Sequence, residues 1–292
     1  MRPDLTPEEK KTALDRIRAS GTYSKAYEDM RFMRRRELRP VRLQLELLKP
    51  ETVLREHKIR STIVVFGSAR MTSRDEAARQ VSVARRRLRS RPRDPRLKAD
   101  LRAWEMRLRQ SRYYEEARKF GQMVSRTQRR PGGLEFVVVT GGGPGIMEAA
   151  NRGAYEVRAK SIGLNITIPS EQDPNPYIAP GLAFTFHYFS LRKMHFMMRA
   201  KAMVAFPGGF GTLDELFETL TLVQTAKKSR IPIVLVGREF WKKLIDVKFL
   251  VDERLISPED LSLFSIVDTA QQAWDIIRKH WARKRRRVEE SL

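Results

Sequence analysis

The stretch Pro207–Glu215, PGGFGTLDE, sets three glycines and a threonine ahead of two acids. Gly208, Gly209 and Gly211 leave backbone N–H groups unshielded by a Cβ, and Thr212 adds a hydroxyl where a helix should begin. Free N–H groups at a helix start favour an anion, so the loop suits a phosphate. Glu215 falls about one helical turn further on, which aims its carboxylate back toward the same pocket. A carboxylate beside a phosphate is repelled unless it faces an electron-poor part of the ligand. A ribosyl carbon turning into an oxocarbenium ion meets that requirement. On the residues alone, Asp214 and Glu215 could equally complement the N-terminal dipole of the helix.

Two more Gly-containing turns fall at expected strand ends, FGSAR (66–70) and TGGGPGIME (140–148). One such turn needs no ligand to explain it. Three on one edge of one sheet point to a shared phosphate or nucleotide site. The Walker A string is absent. GGGPGI breaks the third glycine of a dinucleotide fingerprint, and the following strand, SIGLNITI, ends without an acid. A mononucleotide-sized ligand is therefore expected. Arg192 and Lys193 stand near the start of a helix, where cations oppose the macrodipole. They are placed to meet a phosphate or the ribose 2′ and 3′ hydroxyls. His187 and His195 are expected to pack or hydrogen-bond, and the MHFMM cluster to join the core.

The elements that must position these residues alternate. Residues 1–60 read as helices, with Thr6 as a cap and Pro7 at the first helical position, then a basic helix to about Leu48 interrupted near Pro40. STIVVFGSAR gives a buried strand. Residues 72–127 read as two long helices broken between Ser90 and Pro95. From Leu134 onward apolar strands alternate with helices: LEFVVVT, SIGLNITI, LAFTFHYF, AMVAF, IPIVLVG and FSIVD, with one helix after IPIVLVG ending near Val251. Strands of this kind form a parallel sheet covered on both faces, a Rossmann-like doubly wound α/β fold. Such sheets bind ligands at the carboxyl ends of their strands. The expected organisation is a helical extension over 1–60, a nucleotide-binding catalytic domain over 61–282 with a basic helical insert at about 76–112, and a basic tail over 283–292.

Composition narrows the chemistry. The chain has 292 residues, no cysteine and four scattered histidines, which leaves no thiol nucleophile and no recognisable metal-ligand spacing. No cofactor or metal is expected. No apolar run is long enough to span a membrane, and MRPDLTPEEKK has no apolar core of a signal peptide, so a cytoplasmic protein without membrane contact is expected. The formal charge is +23, which favours anionic partners. It is concentrated outside the motifs: residues 81–112 carry 12 Lys/Arg against 3 Asp/Glu. That excess could confer weak nucleic-acid binding, although no aromatic-interleaved basic motif is present. The insert is expected to lie near the mouth of the site or across a subunit boundary and to serve assembly.

Together, TGGGPGIMEAAN, SLRKMHFMMRAKAMVAFPGG and PGGFGTLDE resemble the Lonely Guy family of cytokinin-activating nucleoside 5′-monophosphate phosphoribohydrolases, often mislabelled lysine decarboxylases. The pattern PGGxGTxxE is met in full, and the family's Arg-Lys pair falls on Arg192 and Lys193. The resemblance covers roughly residues 60–280. It implies a Rossmann-like fold, hydrolysis of AMP-like nucleotides to free base and ribose 5-phosphate, Arg192 and Glu215 as the catalytic pair, and homo-oligomers built from dimers, hexamers in longer members. Gly67 and Ser68 would line the nucleotide pocket beside Gly142 and Gly143. The basic insert departs from the family pattern. No lysine stands in a pyridoxal phosphate context. Two rivals remain: a non-catalytic carrier of the same fold, such as a molybdenum-cofactor carrier, and a nucleic-acid-binding protein.

Overall fold

A computed structural model describes residues 4–167 and 173–289, with side chains through 285. Residues 168–172 of the polar loop after SIGLNITI, and the end of the basic tail, lie outside the described residues. The chain divides into two compact units, Met1–Lys49 and Pro50–Leu292.

In the first unit, α1 (Pro7–Ala19) starts with a capping box in which the Thr6 hydroxyl accepts from the Glu9 N–H and the Glu9 carboxylate accepts from the Thr6 N–H. A short α2 (Met30–Met33) follows, capped by Asp29. The next helix, α3 (Arg39–Glu56), begins at Pro40's neighbour and continues past Leu48 with Pro50 inside it, so the boundary between the units falls within this helix. Pro40 is tolerated because the first helical turn has no use for its missing N–H.

The second unit holds a seven-stranded parallel sheet. Its elements run β1 (Thr62–Phe66), α4 (Arg74–Ser90), α5 (Pro95–Ser125), β2 (Arg129–Arg130), β3 (Gly133–Leu134), β4 (Val137–Thr140), α6 (Ile146–Glu156), β5 (Ser161–Ile166), β6 (Ala183–Phe186), α7 (Phe189–Met198), β7 (Ala200–Ala205), α8 (Phe210–Gln224), β8 (Ile233–Val236), α9 (Arg238–Leu244), α10 (Val247–Asp252), β9 (Phe264–Val267) and α11 (Ala270–Glu289). Strands β2 and β3 form a separate antiparallel pair. The main sheet is ordered β6-β5-β4-β1-β7-β8-β9, a doubly wound α/β arrangement. Its inner strands are buried on both faces, as their unbroken Val and Ile runs require. Right-handed crossovers put α5 and α6 on one face and α7 and α8 on the other.

Order reverses at β1, whose neighbours β4 and β7 are reached in opposite directions. The register pairs Phe66 with Ala205 and Val64 with Val139, so the three Gly-containing turns leave the sheet at one edge around this switch point.

One helix differs from the sequence expectation. The helix expected to run to Val251 is broken at Ile245–Asp246, because the Asp246 side chain accepts from the Phe249 N–H and starts α10 anew. The arginine-rich insert is a helical hairpin that lengthens the β1–β4 crossover. Its apolar stripe, Ala77, Val81 and Ala84, is buried. Among the described residues, no helix is long and apolar enough to cross a membrane.

Candidate active site

The loop after β7 closes onto the loop after β1: the Ser68 N–H donates to the Pro207 carbonyl at 3.0 Å. The Ser68 carbonyl accepts from the Ile146 N–H at 3.1 Å, which seats the start of α6 on the same turn. Gly67 lies against Ile146. The Gly141–Gly143 turn is tied by the Thr140 hydroxyl, which accepts from the Gly142 N–H at 3.0 Å and donates to Asn151 at 2.7 Å. Gly142 has φ +76°, and a Cβ there would strike the Asn165 side chain, so only glycine fits. The Asn175 amide donates to the carbonyls of Gly142 and Gly143, both at 3.1 Å. Asn151, Asn165 and Asn175 had no assigned role in the sequence. Asn151 was at least visible inside TGGGPGIMEAAN; Asn175 reaches the turn from 32 residues away, and no local pattern marks it.

At the start of α8, Thr212 is buried against Gly208. Gly209 serves as N-cap without a side-chain hydrogen bond; its carbonyl accepts from the Thr212 and Leu213 N–H groups, which leaves those of Phe210 and Gly211 uncapped by any described side chain. A Cβ added at Gly209 or Gly211 would meet nothing within 4 Å. Packing therefore does not demand either glycine, and the space above the helix start is open.

Glu215 is 4% exposed, and its carboxylate accepts no hydrogen bond from a described residue. Burial pushes its pKa up to about 7, opposed by the charges of Lys193 and Arg192 and reinforced by Glu218 and Asp214. The half-buried guanidinium of Arg192 donates from Nε to the Leu164 carbonyl at 2.7 Å and lies 5.2 Å from the Phe196 ring centroid. A Cβ at Gly141 would stand 2.6 Å from it, so the third turn also makes room for the arginine. Burial lowers the Arg192 pKa while Glu215 raises it, yet the two groups form no ion pair. A half-buried cation and a buried anion thus share one neighbourhood without pairing with each other.

Lys193 differs from Arg192. Its Nζ lies 2.8 Å from Asp214 and 3.1 Å from Glu218, so it clamps α7 to α8. Burial disfavours its charge, but these carboxylates outweigh that and raise its pKa. The pairing explains how a lysine is tolerated near a helix start, and it takes Asp214 out of the open pocket. His195 is buried with Nδ1 3.5 Å from Glu51, in keeping with a packing role. The Met cluster divides: Met197 is buried, whereas Met194 and Met198 are exposed.

Residues 147–277 match the family model described as possible lysine decarboxylase. Over this span, which is less than half of the chain, the protein is similar to that family. The span includes Arg192, Lys193 and the whole Pro207–Glu215 loop. No curated protein matches the chain in sequence. Among solved structures, the chain is similar to the molybdenum cofactor binding protein of Rippkaea orientalis, at 16% identity over 75% of this chain and 97% of that one, with a TM-score of 0.44. It is also similar to the Moco carrier protein of Chlamydomonas reinhardtii, at 18% identity over 77% of this chain and 99% of that one, with a TM-score of 0.43.

Proposed function

We propose that the protein hydrolyses the N-glycosidic bond of nucleoside 5′-monophosphates, giving free base and ribose 5-phosphate. The observation that carries this reading is the unpartnered, buried carboxylate of Glu215 one turn inside a helix whose glycine-rich start is open and uncapped. The N–H groups of the Gly208–Gly211 loop and the Thr212 hydroxyl hold the 5′-phosphate. Gly67, Ser68, Gly142 and Gly143 wall the nucleotide. Anchoring the phosphate fixes the ribose against Glu215 and supplies orientation remote from the reacting carbon.

The bond from C1′ to the base breaks, and its electron pair leaves with the base. Positive charge develops on C1′ and the ring oxygen, next to the ionised Glu215. Water adds at C1′ and passes a proton to the Glu215 carboxylate, which returns it to solvent as the departing base takes one up on a ring nitrogen. Arg192 binds the ribose phosphate and offsets the carboxylate's charge. Lys193 acts through Asp214 and Glu218 by fixing α8 against α7.

The test is release of adenine from AMP by the full chain, followed chromatographically, with adenosine as the control. AMP should be cleaved and adenosine left untouched. Glu215→Gln should lose on the order of 10²-fold in turnover while still binding AMP. AMP binding without base release would instead favour a carrier, and near wild-type turnover of Glu215→Gln would return Glu215 to a helix-dipole role.

A further inference from the structure

A cleft of ≈ 800 Å3 adjoins the phosphate loop, and neither Arg192 nor Glu215 lines it. Its inner wall is Ser68, Pro207 and Gly208, so it shares Gly208 with the loop assigned to the 5′-phosphate. Its outer walls come from Arg70, at the end of the FGSAR turn, and from elements outside the motifs. Arg70 follows β1, Arg109 and Arg112 stand on α5 of the arginine-rich hairpin, and Lys243 stands on α9. The one carboxylate in the lining, Glu239, is shared by Arg112 at 3.3 Å and Lys243 at 3.1 Å. The Arg112 guanidinium also donates to the Tyr113 hydroxyl at 2.8 Å, which steadies it at the rim. Arg70 and Arg109 meet no carboxylate among the described residues; the Arg109 side chain's polar contact is the Met106 sulfur at 3.6 Å. Four cations against one acid make a cleft built for an anion.

We propose that this cleft is a subsite for a second phosphate, so that the protein takes nucleosides carrying a 5′-diphosphate or a longer phosphate chain. The proposal rests on the assignment of the Gly208–Thr212 loop to the 5′-phosphate. A phosphate seated there has the ribose and Glu215 on one side and Gly208, the border of the cleft, on the other. The next phosphate along the chain enters the cleft and meets Arg70 and Arg109, whose charges are unspent, with Arg112 behind them. A mononucleotide leaves those cations unused. The bonds made and broken at C1′ are unchanged: the base leaves with its electron pair, water adds to C1′, and both phosphates stay on the ribose.

Calorimetric titration of the full-length Glu215→Gln variant with AMP, ADP and inorganic pyrophosphate tests this without turnover. ADP should bind at least about tenfold more tightly than AMP, as expected for added charge-assisted contacts. Adding Arg70→Ala and Arg109→Ala should abolish that preference and leave AMP affinity within about twofold. Replacing Arg93 and Arg96, exposed residues of the same hairpin away from the cleft, removes equal charge and should leave the preference intact. Equal affinity for AMP and ADP, a preference that survives loss of Arg70 and Arg109, or one equally lost in the Arg93/Arg96 control would overturn the proposal. So would pyrophosphate binding that fails to compete with AMP, which would make the cleft a separate anion site. If the wild type cleaves neither nucleotide but the ADP preference behaves as described, the subsite stands and the hydrolase reading falls.

Discussion

Arg192 and Glu215 carry opposite charges into one neighbourhood without forming an ion pair. Burial lowers the pKa of the guanidinium and raises that of the carboxyl, and each charge takes back part of the other's shift. Direct contact would satisfy both and leave little for a ligand. Held apart, the Leu164 carbonyl on Arg192 Nε fixes the arginine while its remaining donors stay available. The carboxylate has no donor at all from the described residues. Such an arrangement costs stability and is the usual mark of a site that completes itself with substrate.

The pH dependence of catalysis follows from Glu215. Its carboxyl, raised by burial to about 7, must be ionised to stabilise positive charge at C1′. We expect kcat/KM for AMP to climb in proportion to hydroxide below about pH 7 and to level off above it. Initial rates of adenine release across this range measure it. A profile flat from about pH 5.5 to about 8 would remove the Glu215 ionisation from the rate-determining chemistry.

The same shift has a signature in stability. Glu215 goes from an ordinary value of 4.5 in the unfolded chain to about 7 in the folded one. Between these values the folded state binds the extra proton, so its contribution falls as pH rises through the window. Below the window there is no cost, and above it the full cost of a buried charge is present. The shift corresponds to roughly 3 kcal/mol. Glu215→Gln should therefore melt about 5 °C or more above wild type at alkaline pH, with the gap nearly closed at about pH 4.5. Calorimetric or fluorescence melting at the two pH values checks it, and a gap of the same size at both would contradict the charge-based account.

Lys193 and Asp214 tune that ionisation in opposite directions. The lysine charge lowers the Glu215 pKa, and the Asp214 charge raises it. Lys193→Met should move the acidic limb of the kcat/KM profile to higher pH, and Asp214→Asn should move it to lower pH. Glu218 still holds Lys193 in the second variant, at 3.1 Å. Limbs that shift in the same direction would mean that the variants disturb α7 and α8 rather than the field at Glu215.

The open loop and its carboxylate were legible because they are contiguous. Pro207–Glu215 spells out a strand end, an open turn and a carboxylate within one turn of helix, all set by local geometry. The alternating apolar strands fixed the parallel sheet in the same way. Lys193 was not legible: its partners lie 21 and 25 positions along the chain, and only the packing of α7 on α8 brings them together. Asn175 is similar, a remote side chain that pins Gly142 and Gly143. The arginine hairpin showed its helices in sequence but not its destination. That is set by Arg112 reaching Glu239 across 127 positions and by Tyr113 packing on Gly237. The broken helix at Asp246 carried its own signal, an Asp three residues before Phe249, and helical periodicity on both sides masked it.

The surface offers two candidates for self-association, and they predict different masses. The hairpin buries its apolar stripe between its own helices and presents like charges outward, so two copies repel unless an acidic surface intervenes. The α7–α8 surface instead exposes Phe189, Met194, Met198 and Phe217, with Phe210, inside the glycine-rich loop, at 92% exposure. Large apolar side chains grouped this way are what an interface covers. We expect a homo-oligomer joined through α7 and α8. Phe217→Asp combined with Met198→Asp should lower the mass seen by light scattering, and AMP turnover should fall with it if Phe210 and the loop are ordered by the neighbour. Excising Ala77–Gln110 with a short Gly-Ser bridge should leave the mass per assembly unit unchanged in subunit number. A drop in subunit number on excision, with the α7–α8 variant still assembled, would place the hairpin in the interface instead.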